Sequence, residues 1–317
     1  MKTTRLLVAL CLLAAGPAVA QSSGVTRIVV PFGAGGVQDI LARAIAPELG
    51  AAIGRSVIVE NRTGAGGTIG TAVVAKAAPD GHTLILAAAS HTINASLYAK
   101  LTYDPIRDFT GVAHLGTVEY VLMISTELLA KSVQEFVEYA KANPGRLNYA
   151  TAGSGTATHL SMAYFAGLAG LDMVHIPFKA TNEAIGEVVA QRAQAVIAAN
   201  IGALPFAADA RVRMLAVTSA KRSKFLPGLP TIAESGVPGY EFDSWLGLLG
   251  PAGIPKATLD QLNAAVAVLL KDPVILDRLA KQGIEPRALE PEAFNALLRA
   301  DAAKMARVVK ISGARVE

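Results

Sequence analysis

The chain has 317 residues, 29 of them lysine or arginine and 25 aspartate or glutamate, for a net charge of +4. Its basic residues form no block, which argues against a nucleic-acid partner. One cysteine, Cys11, excludes a disulfide framework within the chain.

Lys2 and Arg5 precede a short apolar stretch over 6–15, and the small residues Ala18–Ala20 stand before Gln21. This is the pattern of a secretory signal peptide over 1–20. Its apolar part is too short for a membrane span, which takes roughly 20 residues. A bulky Leu10 before Cys11 does not suit a lipid-anchor site. Cleavage would remove Cys11, leaving neither disulfide nor thiol nucleophile. The remaining chain, about 300 residues long, suffices for two domains of ordinary size. Its mean hydropathy is high, +0.41, yet no later segment runs to membrane length without Gly, Pro or charge. This reads as a buried parallel sheet under alanine-rich helices.

Residues 26–32 read as a buried strand, and from Val37 the apolar residues fall at helical spacing. A strand over 56–60 and a helix follow, then a strand over 82–89 entered through the turn at 79–81. The first hundred residues thus read as strand, glycine loop and helix three times over, the pattern of a parallel sheet with right-handed crossovers. Residues 109–125 hold two strand-like runs with no helix between them. Further strands are expected at 147–151, 173–178, 193–200 and 212–219, with helices after the glycine loop at 153 and over 182–191. Residues 244–255 precede three mostly helical segments. The runs near 115–125 and 245 are the expected crossings between two domains.

The cluster Gly-Ala-Gly-Gly occurs twice, at Gly33–Gly36 and at Gly64–Gly67. Such a turn exposes backbone N–H groups, and a helix starting there adds unpaired donors and a dipole that favours an anion. The loop Gly153–Thr156 has the same character. Two such turns facing each other across a cleft would grip a small acid from both ends. Each turn by itself also reads as a plain strand-to-helix connection. Gln38 and Ile69 stand where a dinucleotide fingerprint needs its third small residue, and no phosphate-loop lysine follows either cluster. Ser154 lacks the flanks of a nucleophile elbow. The five histidines, 82, 91, 114, 159 and 175, show no metal spacing, and His159 reads as a core histidine of an apolar helix. No catalytic group, metal or cofactor is expected. Asp39 has Arg43 four residues on, so it reads either as half of a helical ion pair or as a group facing the cleft.

The segments VPFGAGGVQDILAR, VENRTGAGGTIG, APDGHTLILAAASHTINASLY, YATAGSGTATHL, HIPFKA, LPTIAESGVPGYE and GPAGIPKATLDQLN occur in order over almost the whole chain beyond the leader. Together they resemble the Bug-type (TctC) substrate-binding proteins of tripartite tricarboxylate transport systems. The resemblance implies an α/β periplasmic-binding-protein (Venus flytrap) fold, with parallel-rich sheets flanked by helices and a ligand cleft between two domains. The division expected is 21–122 with 244–317 as one domain and 123–243 as the other. It implies a monomeric periplasmic receptor that closes on a small carboxylate held by backbone and short polar side chains, and that delivers it to membrane transporter subunits. Carried over by position, Phe32, Ala34, Gly35, Asp39, Ser90 and Asn94 would contribute from the first domain. Thr151, Ser154, Gly155 and Thr156 would contribute from the second, with Phe178, Lys179 and Asn200. The second Gly-Ala-Gly-Gly would serve as a turn at the rim. Ala180 and Thr181 replace glycine of the family pattern and Ala195 replaces aspartate, which bears on the second half of the pocket. Docking onto a sensor receptor is the alternative to transport, and an exported hydrolase or lyase is the enzymatic one.

Overall fold

The computed structural model describes residues 24–314; the expected signal peptide over 1–20 lies outside the described residues. The chain opens with β1 (Thr26–Val30), α1 (Val37–Ile53), β2 (Val57–Asn61), a 3-10 turn (Ala65–Gly67), α2 (Thr68–Ala75), β3 (Thr83–Ala88), α3 (Ser90–Leu97) and β4 (Phe109–Val118). The middle holds β5 (Tyr120–Ser125), α4 (Val133–Ala142), β6 (Leu147–Thr151), α5 (Ala157–Ala169), β7 (Met173–Pro177), α6 (Thr181–Val189), β8 (Ala195–Ala199), α7 (Asn200–Ala203) and β9 (Val212–Val217). The chain ends with β10 (Ser244–Pro251), α8 (Lys256–Leu269), α9 (Pro273–Lys281), β11 (Ile284–Pro286) and α10 (Pro291–Ser312).

These strands form two sheets, ordered β11-β4-β10-β3-β1-β2 and β7-β6-β8-β5-β9. The first takes strands from both ends of the chain, the second from the middle. We call each sheet with its helices a lobe. β3 and β10 lie inside the first sheet and are buried at every residue. Both faces of such strands are covered, so they read as continuous apolar runs. β2 and β7 are edge strands and carry partly exposed residues.

The structure corrects three sequence expectations. The first sheet is mixed, because β10 runs antiparallel between β3 and β4. The third strand–helix unit has no glycine loop; Ala89 leads straight from β3 into α3. The passage between lobes lies at Glu119, where pairing changes from β10 to β8 and β9, so the boundary expected after residue 122 falls within β5. A buried apolar run carries no mark of where its partners change.

One apolar cluster continues from the first lobe to the face of the second sheet under α4 and α5. A separate cluster lies on the other face, under α6. α10 joins the lobes. Its Asp301 accepts hydrogen bonds from Thr92 Oγ1 (2.5 Å) and Trp245 Nε1 (2.8 Å) in the first lobe. At its far end the Ile311 carbonyl lies against Gly167 of α5, so close that a Cβ there would come within 2.6 Å.

Candidate functional site: a cavity between two glycine loops

β1 ends at Val30, and the chain passes through Pro31-Phe32 and turns through Gly33–Gly36 into α1. β6 ends at Thr151 and turns through Gly153–Thr156 into α5. The turns are alike at their third and fourth residues. Gly35 and Gly155 have φ of +80° and +79°, a region that only glycine enters cheaply. Gly36 and Thr156 follow as N-caps with nearly equal backbone angles (φ −76°, ψ 165°; φ −80°, ψ 163°). The Gly36 N–H donates to the Gly33 carbonyl at 3.4 Å, and the Thr156 N–H to the Gly153 carbonyl at 3.3 Å.

Each turn is braced from the first turn of its own helix. The Gly35 N–H donates to Asp39 Oδ2 at 3.0 Å, and the Gly155 N–H to His159 Nδ1 at 3.2 Å. Asp39 is 4% exposed. Its other oxygen accepts from Arg43 Nε and Asn61 Nδ2, each at 3.0 Å. Asn61 Nδ2 also donates to the Phe32 carbonyl, tying β2 to the loop. Burial pushes the Asp39 carboxyl up, but hydrogen bonds from Arg43, Gly35 and Asn61 outweigh it and hold the pKa below its ordinary value. Asp39 thus pairs with Arg43 and turns its second oxygen to the Gly35 N–H behind the loop. His159 lies flat against His175, ring centres 4.1 Å apart, with Tyr149 stacked on the same pile.

Between the loops lies a cavity of about 400 Å³, within the range of roughly 300–1,000 Å³ usual for small-molecule sites. The N-caps of three helices border it: Gly36 of α1, Thr156 of α5 and Ala180 of α6. A helix leaves its first N–H groups without internal acceptors, and its dipole places partial positive charge there. At Gly36 and Ala180 no side chain caps those donors. Among the described residues the lining contains no carboxylate and one cation, Lys179. Its floor is made where the strands pass between lobes: Val118 pairs with Ser244, Leu246 with Ala88, and Tyr120 with Ala199. The site combines convergent anion-favouring donors with an apolar floor. A more open hollow of about 500 Å³ is lined by residues between Ala95 and Asp108 and takes nothing from the second lobe. Among the described residues no group of three or more His, Cys, Asp or Glu is placed to hold a metal ion.

Of the residues singled out in the sequence, Phe32, Ala34, Gly35, Ser90, Thr156 and Lys179 line the cavity. Asp39 stands behind its loop. Thr151 is buried, with its Oγ1 accepting from the Gly153 N–H and lying 2.6 Å from His175 Nε2. Phe178 packs against the cluster under α6 while its N–H donates to the Thr151 carbonyl. The Asn200 side chain turns away, toward Gly283 of the first lobe. Asn94, Ser154 and Gly155 meet at a seam where the lobes touch. A Cβ on Gly155 would come within 2.9 Å of Leu97 and 3.7 Å of Tyr98.

The second Gly-Ala-Gly-Gly stands at this seam. Its Gly66 carbonyl accepts from Asn94 Nδ2 at 2.9 Å, and a Cβ on Gly66 would lie 2.9 Å from Tyr98 Oη and 3.6 Å from the Ser154 carbonyl. It is a strand-to-helix turn, as expected, and also a lobe-to-lobe contact. Of the family departures, Ala180 and Thr181 line the cavity, whereas Ala195 lies at the start of β8, paired with Tyr149 and Ile124 away from it. The floor was not among the residues expected from the sequence; the start of α6 was expected to bear on the pocket and lines it, whereas Ala195, expected with it, does not. The signal for the floor was present, since strands that cross between domains must underlie any cleft between them.

A family model described as the tripartite tricarboxylate transporter family receptor matches residues 41–314. Protein BugT of Bordetella pertussis is 30% identical over 297 residues, covering 92% of this chain and 90% of the relative. A solved R. palustris protein with adipate is 34% identical with a TM-score of 0.86, covering 93% of this chain and 100% of that one. MatC from Rhodopseudomonas palustris with bound malate is 31% identical with a TM-score of 0.82, covering 91% and 99%.

Proposed function

The chain belongs to the tripartite tricarboxylate transporter receptor family, and from that premise we propose that it binds a small carboxylate between its lobes and presents it to a membrane transporter. The observation that carries this reading is the convergence of three helix N-termini from both lobes on one cavity whose lining has no carboxylate. Donors already fixed by loops need little ordering when an anion arrives, which favours affinity. The adipate and malate named for two related structures are acids of this kind. We assign the ligand to the backbone donors at the three helix starts, with Phe32, Ala34, Gly35, Ser90, Thr156 and Lys179 around it. The family is one of solute receptors, and we assign no catalysis to this member. Export through the leader over 1–20, action in the periplasm and a monomeric state complete the proposal.

A thermal-shift screen over organic acids, with amines and neutral sugars as controls, tests the ligand class. At about 100 times Kd a bound acid should stabilise the folded state by roughly 2.7 kcal/mol. Stabilisation by sugars alone, with every carboxylate inert, would overturn the reading. The intact mass of exported protein should correspond to a chain starting near Gln21.

A further inference from the structure

The two glycine turns share a third-position glycine at φ near +80°, held from the first turn of the helix, but they are braced by different chemistry. Asp39 offers an oxygen that accepts hydrogen bonds at any ordinary pH. His159 offers a ring nitrogen that accepts only while it carries no proton. A backbone N–H can only donate, so the Gly155 bond at 3.2 Å requires an unprotonated Nδ1. We propose that His159 is a positioning residue of the ligand site, holding the second loop in the shape that presents the start of α5 to the anion. This inference rests on the carboxylate reading above.

Three observations carry it. His159 is 5% exposed, so water does not compete for the Gly155 bond. The residues that follow Gly155, from Thr156 to Thr158, line the cavity, so a change in the turn moves the donors themselves. The counterpart in the first lobe, Asp39, makes the same contact four residues beyond its glycine and is likewise buried. The titratable groups facing the ring are His175 from β7 and Tyr149 from β6. β8 offers only alanine, valine and isoleucine. Elsewhere along α5, Tyr240 donates to the Ser161 carbonyl, and α10 meets the helix at Gly167. Burial, with the neighbouring His175, lowers the His159 pKa to about 4, which keeps the acceptor available at neutral pH.

Nitrogen-15 spectra of the ligand-free protein at pH 7 should show His159 protonated on Nε2 alone. Exchange of the Gly155 amide should quicken about tenfold in His159→Leu, the loss of one hydrogen bond. It should return toward the parent value in His159→Asn, whose amide oxygen can replace Nδ1. Calorimetry with adipate and with malate should show about tenfold weaker binding by the leucine variant and recovery by the asparagine variant. Between pH 6 and 4 the parent should lose affinity relative to His159→Asn, a ratio from which the ligand's own titration cancels. A proton on Nδ1 at pH 7, or unchanged Gly155 exchange in the leucine variant, would overturn the brace. Lost protection with unchanged affinity would overturn the positioning role. Failure of the parent to bind either acid or any other carboxylate would count against the carboxylate reading, while exchange and tautomer would still decide the brace.

Discussion

Asp39 gathers three donors around one buried carboxylate, and they are not equal. Arg43 is 53% exposed at its side chain, so water and salt weaken its share. The Gly35 N–H and Asn61 Nδ2 are bonds within the loop and the sheet, and their loss leaves donors without acceptors. Asp39→Leu should therefore destabilise the protein by about 1–3 kcal/mol, more than a surface ion pair is worth. Urea unfolding measures this. Calorimetry should show weaker ligand binding as well, because the loop loses its shape. Since the folded pKa is depressed, the stabilisation from Asp39 is present above its ordinary pKa and is lost as pH falls through the lowered value. An Asp39→Leu protein with parental stability and affinity would show that the loop holds its shape without the Asp39 brace.

At the scale of elements, the chain uses its glycine turns for two purposes. The loops before α1 and α5 open donors to a cavity. The loop before α2 lets the lobes approach: Gly66, with φ of +60°, lies against Tyr98 and faces the Ser154 carbonyl. Gly170 is a useful comparison. Its φ is +65°, yet a Cβ there would meet nothing within 4 Å. Valine at either position carries the backbone cost of a left-handed conformation, roughly 1–2 kcal/mol. Only Gly66→Val should also separate the lobes. Melting temperatures should fall in both variants, whereas affinity for an organic acid should fall in Gly66→Val alone. Equal affinity in the two would show that the seam does not contribute to the bound form.

At the scale of the molecule, both passages between lobes carry a half-buried carboxylate with one buried oxygen. Glu119 separates β4 from β5, and Asp243 precedes β10. Burial pushes the Asp243 carboxyl up to about 6; Lys304 opposes this, while Glu241 and Glu119 add to it. Its Oδ1 is buried without a hydrogen-bond partner. A raised folded pKa means that ionised Asp243 costs stability above about pH 6, and that the cost vanishes below the unfolded value near pH 3.8. Asp243→Asn should accordingly stabilise the protein at pH 8, by no more than about 3 kcal/mol. The gain should shrink toward zero at pH 4. Denaturant titrations of both proteins at the two pH values measure it, and a gain equal at both would mean that the charge is not its source.

Most of the strands and helices are legible in the amino-acid sequence. Runs such as Ile28–Val30 and Leu84–Ala88 are apolar without interruption, which suits a strand covered on both faces. Gly33–Gly36 and Gly153–Thr156 stand at strand-to-helix joints, and the conformational freedom of glycine and the bare start of a helix are local properties of the chain. The tertiary structure alone decided which groups those loops meet. Asn61 reaches Asp39 from 22 residues away, through the pairing of β1 with β2. The contact of His159 with Gly155 is local, four residues apart, but the rings of His175 and Tyr149 that stack beside it come from β7 and β6. Val118, Tyr120 and Leu246 are chemically the same as the apolar residues beside them, and only their place at the passage between lobes makes them the floor of a cavity. Local backbone chemistry is written in neighbouring residues. The partners of a buried polar group, and the side of a sheet that meets a ligand, follow from contacts between segments far apart in the chain.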